Sequence, residues 1–234
     1  MDRDMEKKLR SGRYQRNFDL LTGEDQLKLQ SSTVAIVGCG GLGGFLAEEL
    51  TRIGVGHLIL IDGDVVEISN LNRQLFALED NIGEPKVKAA KERLLKVNSQ
   101  TVIDSYEQWF TEETGNSLLA GADLVCDALD TGKARLILEN TCHDLGIPLV
   151  LAAIGGWYGL VGVSFPGDNI AVKLFGQDRQ GIEKQLGNPA FTPAAIASLA
   201  VAEAVKVLIG KPASLHRSIL YMDLLTMKFD RFSI

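Results

Sequence analysis

Cysteine is scarce in this 234-residue chain: there are three, Cys39, Cys126 and Cys142, and none belongs to a C-x-x-C pair. An odd, scattered set argues against a disulfide framework and points to a reducing, cytoplasmic setting. Positive charge is also short. Lysine and arginine total 24 against 30 aspartates and glutamates, a net charge of -6. That balance gives neither nucleic acid nor an anionic membrane general support as a partner. Long hydrophobic runs are missing as well. The most apolar stretch, Ala194 to Ile209, carries Glu203 and Lys206 and reads as a core helix rather than a bilayer span. The first sixteen residues are locally basic, with Arg3, Lys7, Lys8, Arg10, Arg13 and Arg16, but no apolar segment follows, so they are no secretory signal. No G-x-x-x-x-G-K-[ST] run occurs, which excludes a P-loop. No internal repeat is present, and His57, His143 and His216 match no metal spacing.

What is present is an ordinary globular composition, 46% hydrophobic and 23% charged, in a chain long enough for one α/β domain. "TVAIVG" (Thr33 to Gly38) has the profile of a buried parallel strand. Leu42, Phe45, Leu46, Leu50 and Ile53 then recur at helical spacing, and "HLILID" makes a second buried strand ending on Asp62. The alternation continues through a helix over Lys86 to Val97 with Pro85 at its N1 position, and strands over Thr101 to Trp109 and Ala122 to Leu129. A helix over Gly132 to Leu145 and a strand over Pro148 to Ile154 follow. Beyond Gly155, "PGDN" predicts a hairpin between strands Gly159–Phe165 and Ile170–Phe175. A polar crossover over 176–190 precedes a long helix with Thr192 as N-cap, Pro193 at N1 and Gly210 as stop, and two last strands lie around 219–224 and 227–232. The expected fold is a Rossmann-like three-layer α/β domain whose mostly parallel sheet is extended by antiparallel strands. Its parts are a helical arm over 1–30, a nucleotide-binding half over 31–155 and an antiparallel half over 156–234.

Gly38, Gly40 and Gly43 satisfy G-x-G-x-x-G between a strand and a helix, with Asp62 about twenty residues on. Such glycines let backbone N–H groups approach phosphates, and the acid suits a ribose hydroxyl. This marks a nucleotide site without choosing among NAD, FAD and ATP. The choice lies downstream, where Ser69, Asn70, Asn72, Arg73 and Gln74 crowd one loop and Lys86 opens a helix after "GEP". A triphosphate needs several cationic and neutral donors, because charge builds on it as pyrophosphate leaves. Arg73 can grip phosphate oxygens in pairs, Lys86 supplies a point charge, and Asn70 is a neutral donor. Asp130, at the carboxyl end of a buried strand, stands where open sheets bind ligands and is the natural metal ligand.

These residues resemble the E1-like superfamily of adenylating enzymes that includes MoeB, ThiF and HesA. The resemblance runs from "RYQRN" (Arg13 to Asn17) through "GCGGLGG", "LILIDGDVVEISNLNRQ", "IGEPKVKAA" and "DALD" to "AAIASLAVAEAVKVLIGKP". It implies activation, with ATP and Mg²⁺, of the C-terminal carboxylate of a small ubiquitin-like sulfur carrier of the ThiS or MoaD type. The product is an acyl-adenylate with release of pyrophosphate. A second implied reading is the threonylcarbamoyladenosine dehydratase branch, which acts on tRNA; a third is a non-catalytic nucleotide-binding scaffold. Carried over by position, Gly41 contacts the nucleotide through its backbone and Asp62 holds the ribose. Ser69, Asn70, Leu71, Asn72 and Arg73 hold the phosphates with Lys86. Asp130 binds Mg²⁺ with Thr131 beside it, and Arg16 reaches ATP from a neighbouring subunit, which implies a homodimer.

Many relatives hold zinc with two C-x-x-C pairs and place a cysteine in the crossover; this chain has neither. No zinc is expected, and no covalent enzyme–thiol step is supported. Cys39, Cys126 and Cys142 read as small buried hydrophobes. Asp64 has two readings, a support behind the residues that hold the nucleotide or a turn former, and the second is the better fit. Trp109 has two readings, a wall of an adenine pocket or ordinary core, and the crossover is either a clamp on a substrate tail or a plain connector.

Overall fold

A computed structural model describes residues 12–176 and 186–234. Among them, eight strands form one sheet in the order β3-β2-β1-β4-β5-β6-β7-β8. The first five are β1 (Thr33–Val37), β2 (His57–Ile61), β3 (Val102–Tyr106), β4 (Leu124–Asp127) and β5 (Leu149–Gly155), all mutually parallel. β6 (Tyr158–Ser164), β7 (Ser218–Asp223) and β8 (Lys228–Ser233) continue the sheet antiparallel.

Strand alternation sorts side chains to two faces. Val34, Ile36, Leu58, Leu60, Leu124 and Cys126 bury on one face, beneath helices α2 (Gly41–Ile53), α3 (Lys86–Val97) and α7 (Phe191–Leu208). Ala35, Val37, Ile59, Ile61 and Val125 bury on the other, beneath α4 (Glu112–Leu118) and α5 (Gly132–Leu145). The result is the expected three-layer α/β fold. Helix α1 (Gly23–Ser31) lies ahead of β1, with Thr22 and Asp25 forming a capping box, and Tyr14, Phe18 and Leu21 of the arm are buried. The α7 helix, 18 residues of mean hydropathy 1.5, has the length and composition of a membrane span, but Ile196, Ala197, Ala200 and Ala204 are fully buried in the core.

Four expectations are corrected. Residues Ile170–Phe175 form a short helix, α6, rather than a strand, and β6 pairs with β5 across the Gly155–Tyr158 turn. The cause is tertiary. Asn169 turns left-handed at φ 56°, and the buried Glu139 carboxylate accepts the amides of Ala171 and Val172 at 2.9 and 3.3 Å, which fixes a helical first turn. Thr192 is not the N-cap of α7, which begins at Phe191. Its hydroxyl instead donates to the Gly156 carbonyl at 2.6 Å. Pro85 is the N-cap of α3 rather than its first residue. The strand expected over 101–109 is shorter, and helix α4 follows it. The basic residues 3–10 and crossover residues 177–185 lie outside the described residues.

Candidate nucleotide site at the carboxyl ends of the parallel strands

A cleft of about 450 Å³ opens where β1, β2 and β4 end. This is the point in an open α/β sheet where the chain leaves the strands on opposite faces and a ligand can enter. The glycine loop forms its floor. Gly38 has φ 99°, and a Cβ there would fall 2.5 Å from the Ala128 carbonyl oxygen, so only glycine fits. Gly40 caps α2 and Gly41 begins it, so the free amides of the helix start face the cleft. Gly43 does not line the cleft. A Cβ on it would sit 1.8 Å from the Gly38 carbonyl oxygen, so its part is to let the helix press against the turn.

Asp62 leaves β2 pointing into the same space. Its Oδ2 accepts the Cys39 amide at 2.6 Å and its Oδ1 the Asp64 amide at 2.8 Å. Burial raises its carboxyl above the ordinary carboxylate value, and the two amide bonds pull the other way. Lys86, the first residue of α3, is buried with Nζ 2.7 Å from Asp64 Oδ2. Asp64 is therefore more than a turn former: it aims the lysine.

The "SNLNRQ" loop divides its labour. Ser69, Asn70, Arg73 and Gln74 line the cleft. Asn70 is buried and its Oδ1 accepts the Glu67 amide at 3.1 Å, which shapes the loop. Arg73 Nη1 donates to the Ser69 carbonyl at 2.9 Å and to Asn72 Oδ1 at 2.8 Å. Asn72 and Leu71 are not part of the wall: Asn72 Nδ2 donates to the Asn188 carbonyl at 3.0 Å, and Leu71 packs on the core.

Across the cleft, Asp130 follows β4 and is exposed, with no protein hydrogen bond or ion pair among the described residues. Thr131 lies outside the wall and caps α5, accepting the Ala134 amide at 3.3 Å. Arg16, exposed in the short 3₁₀ turn Gln15–Asn17, is not part of this chain's own cleft.

Of the two readings of Trp109, the wall is the one observed: it is 63% exposed, lies against Gly63 and lines the cleft, so it is not ordinary core. Arg135 and Asn188 are wall residues that sequence reasoning missed. Arg135, 3% exposed, donates to Asp127 Oδ2 at 2.5 Å, to the Ala152 carbonyl at 2.7 Å and to the Leu129 carbonyl, and its guanidinium lies over the Phe175 ring. It ties the loop that carries Asp130 to the sheet. An arginine on an otherwise core-facing helix position, eight residues after a strand aspartate, was the available signal. Asn188, at the end of the crossover, also lines the cleft.

Cys39, Cys126 and Cys142 are all buried. Burial pushes the Cys126 thiol up to about 12 and the other two thiols above their ordinary value, so none presents a ready thiolate. Among the described residues, no group of three or more His, Cys, Asp or Glu side chains forms a metal-binding cluster.

The ThiF family model matches residues 13–234. A sulfur carrier protein adenylyltransferase from Thermus thermophilus is 33% identical over 237 residues, covering 95% of this chain and 86% of that protein. A tRNA threonylcarbamoyladenosine dehydratase from Bacillus subtilis is 41% identical over 139 residues, covering 58% of this chain and 54% of that protein. Among solved structures, MccB from E. coli with ATP superposes with a TM-score of 0.80 at 24% identity, covering 100% of this chain and 74% of that one, which shows a shared fold. The chain belongs to the ThiF family and is an enzyme of its adenylyltransferase class.

Proposed function

We propose that this protein uses ATP to adenylate the C-terminal carboxylate of a small ubiquitin-like sulfur-carrier protein ending in Gly-Gly. The observation that carries the reading is the convergence on one cleft of a helix start, Asp62, Arg73, Lys86 and Asp130. Asp62 suits the ribose hydroxyls, with Trp109 as a flat wall for the base. Gly40, Gly41, Arg73 and Lys86 supply donors for the phosphates. The carboxylate is ionised at neutral pH, so no general base is needed. Its oxygen forms a bond to the α-phosphorus, the bond from that phosphorus to the β-bridging oxygen breaks, and pyrophosphate departs with the electron pair. Positioning and charge neutralisation lower the barrier.

Asp130 fits Mg²⁺ of the kind that a nucleotide carries. It is an exposed, unengaged carboxylate in the wall, and Mg²⁺ is commonly held by one or two carboxylates plus substrate phosphates. The ion would neutralise phosphate charge. We infer a homodimer in which Arg16 serves the neighbouring subunit's cleft; its exposure away from its own cleft supports this. The buried thiols support a reducing, cytoplasmic setting.

The test is ATP–pyrophosphate exchange against candidate Gly-Gly carriers. Carrier-dependent exchange, lost in Arg73→Ala and Asp130→Ala, is the expected result. A second reading, activation of a carboxylate on modified tRNA, draws on the Bacillus subtilis relative. Retardation of tRNA in a gel together with carrier-independent exchange would favour it. Failure of ATP to bind would overturn both.

A further inference from the structure

The C-terminal end of the crossover is strapped to the cleft by three hydrogen bonds. The Gly156 amide donates to the Gly187 carbonyl at 2.7 Å, and the Thr192 hydroxyl donates back to the Gly156 carbonyl at 2.6 Å. Asn72 Nδ2 donates to the Asn188 carbonyl at 3.0 Å, while the other end of that amide accepts from Arg73. Asn188 thereby sits in the cleft wall beside the end of β5 and is joined through Asn72 to Arg73. It stands three strands across the sheet from β2, which leads into Asp62, and further from β3, which leads to Trp109.

Its carboxamide oxygen is buried and has no hydrogen-bond partner among the described residues. A buried acceptor without a donor is a standing cost that native structures rarely carry without a reason. In a substrate cleft, the natural reason is a donor that arrives with the ligand. At this end, phosphates and a carboxylate bring acceptors only. The donors of adenosine belong to the opposite end, beside Asp62 and Trp109. A donor on the molecule that bears the carboxylate, close to its reacting end, fits this place. A peptide C-terminus has one at a fixed place, the N–H on the carbon that carries the carboxylate.

Building on the adenylation reading, we propose that Asn188 Oδ1 accepts the last peptide N–H of the substrate. Asn188 is then a specificity residue that selects peptide C-termini over carboxylates lacking that N–H. Because the Asn72 amide holds both Arg73 and the Asn188 backbone, recognition of the tail and grip on the phosphates share one support.

The experiment uses the full chain in ATP–pyrophosphate exchange with two probes. One is a ubiquitin-like carrier ending in Gly-Gly. The other is its semisynthetic copy ending in glycolate, in which an ester replaces the last amide and removes only that N–H. Wild-type enzyme is expected to use the amide with at least about tenfold higher kcat/KM, the scale of one lost hydrogen bond in a dry site. Asn188→Ala should bring the ratio to within about twofold, and Asn188→Asp, which keeps an acceptor, should restore part of it. Equal use of amide and ester by the wild type overturns the proposal and leaves adenylation standing. So does a tenfold preference that survives in Asn188→Ala. Absence of exchange with both probes refutes the adenylation reading itself, and this proposal with it. If Asn188→Ala fails to fold, Asn188→Ser, whose hydroxyl is too short to reach the same place, takes its part in the comparison with the same expected and overturning results.

Discussion

Lys86 Nζ lies 2.7 Å from Asp64 Oδ2, and the lysine is buried while the carboxylate stays half exposed. The carboxylate holds a cation in the cleft before any phosphate is there, which lowers the reorganisation needed on binding. Asp64→Asn is expected to lower kcat/KM for ATP about tenfold, and Lys86→Ala by roughly 10²–10³, the scale of one preorganised donor. The melting temperature of Asp64→Asn should move by only a few degrees, because a pair with one exposed partner contributes about 1 kcal/mol or less. Steady-state kinetics beside thermal melting checks both.

Gly41 and Gly43 should separate binding from folding. A Cβ on Gly43 would overlap the Gly38 carbonyl at 1.8 Å, and backbone cannot yield cheaply there. Gly43→Ala is expected to cost about 3 kcal/mol or more of stability in urea unfolding. On Gly41 the nearest atom is Arg73 Cγ at 3.4 Å, a side chain that can shift. Gly41→Ala should stay within about 1 kcal/mol in stability. Its methyl stands beside the helix start, so calorimetry should find weaker ATP binding.

The raised Asp62 carboxyl predicts a pH dependence for nucleoside binding. Burial lifts it above its unfolded value, so the folded state holds the proton more tightly than the unfolded chain does. Its stabilising contribution is complete below the unfolded value, about 3.9, and is lost as pH rises through the raised folded value. Binding has the opposite sign, because ribose hydroxyls donate to the charged form. Adenosine affinity is expected to fall as pH drops through that raised value, and Asp62→Ala should flatten the profile. Fluorescence of Trp109 reads the binding, and adenosine avoids titrating phosphates.

Arg135 is nearly as buried as its partner Asp127, at 3% and 1% side-chain exposure. Arg135→Met leaves the carboxylate without its cation in the core and is expected to destabilise the protein by roughly 3–5 kcal/mol. The double variant Arg135→Met/Asp127→Leu should recover much of that loss in chemical denaturation. Activity should stay low in the double variant, because the Leu129 carbonyl beside Asp130 has lost its donor.

Residue spacing along the chain is enough to set the parallel half of the fold. Apolar runs such as "TVAIVG" and "HLILID", separated by helical periods, can bury both strand faces only beneath helices on two sides. It also determined the chemistry on offer: glycines that permit phosphate approach, an acid at the end of a strand, and a crowded donor loop. Those features are local, set by spacing of a few residues.

Tertiary structure decided what local pattern leaves open. "IAVKLF" fits strand and helix alike, and the Glu139 carboxylate, some thirty residues away, settles it as helix. Asn72 and Leu71 sit in the same loop as Arg73, yet the wall takes Arg73 and leaves those two outside it. Asp64 gained its role from Lys86, 22 residues on, and Asn72 from Asn188, 116 residues on. Partners that distant leave no periodic trace in sequence. Only the packed chain brings them within hydrogen-bond reach.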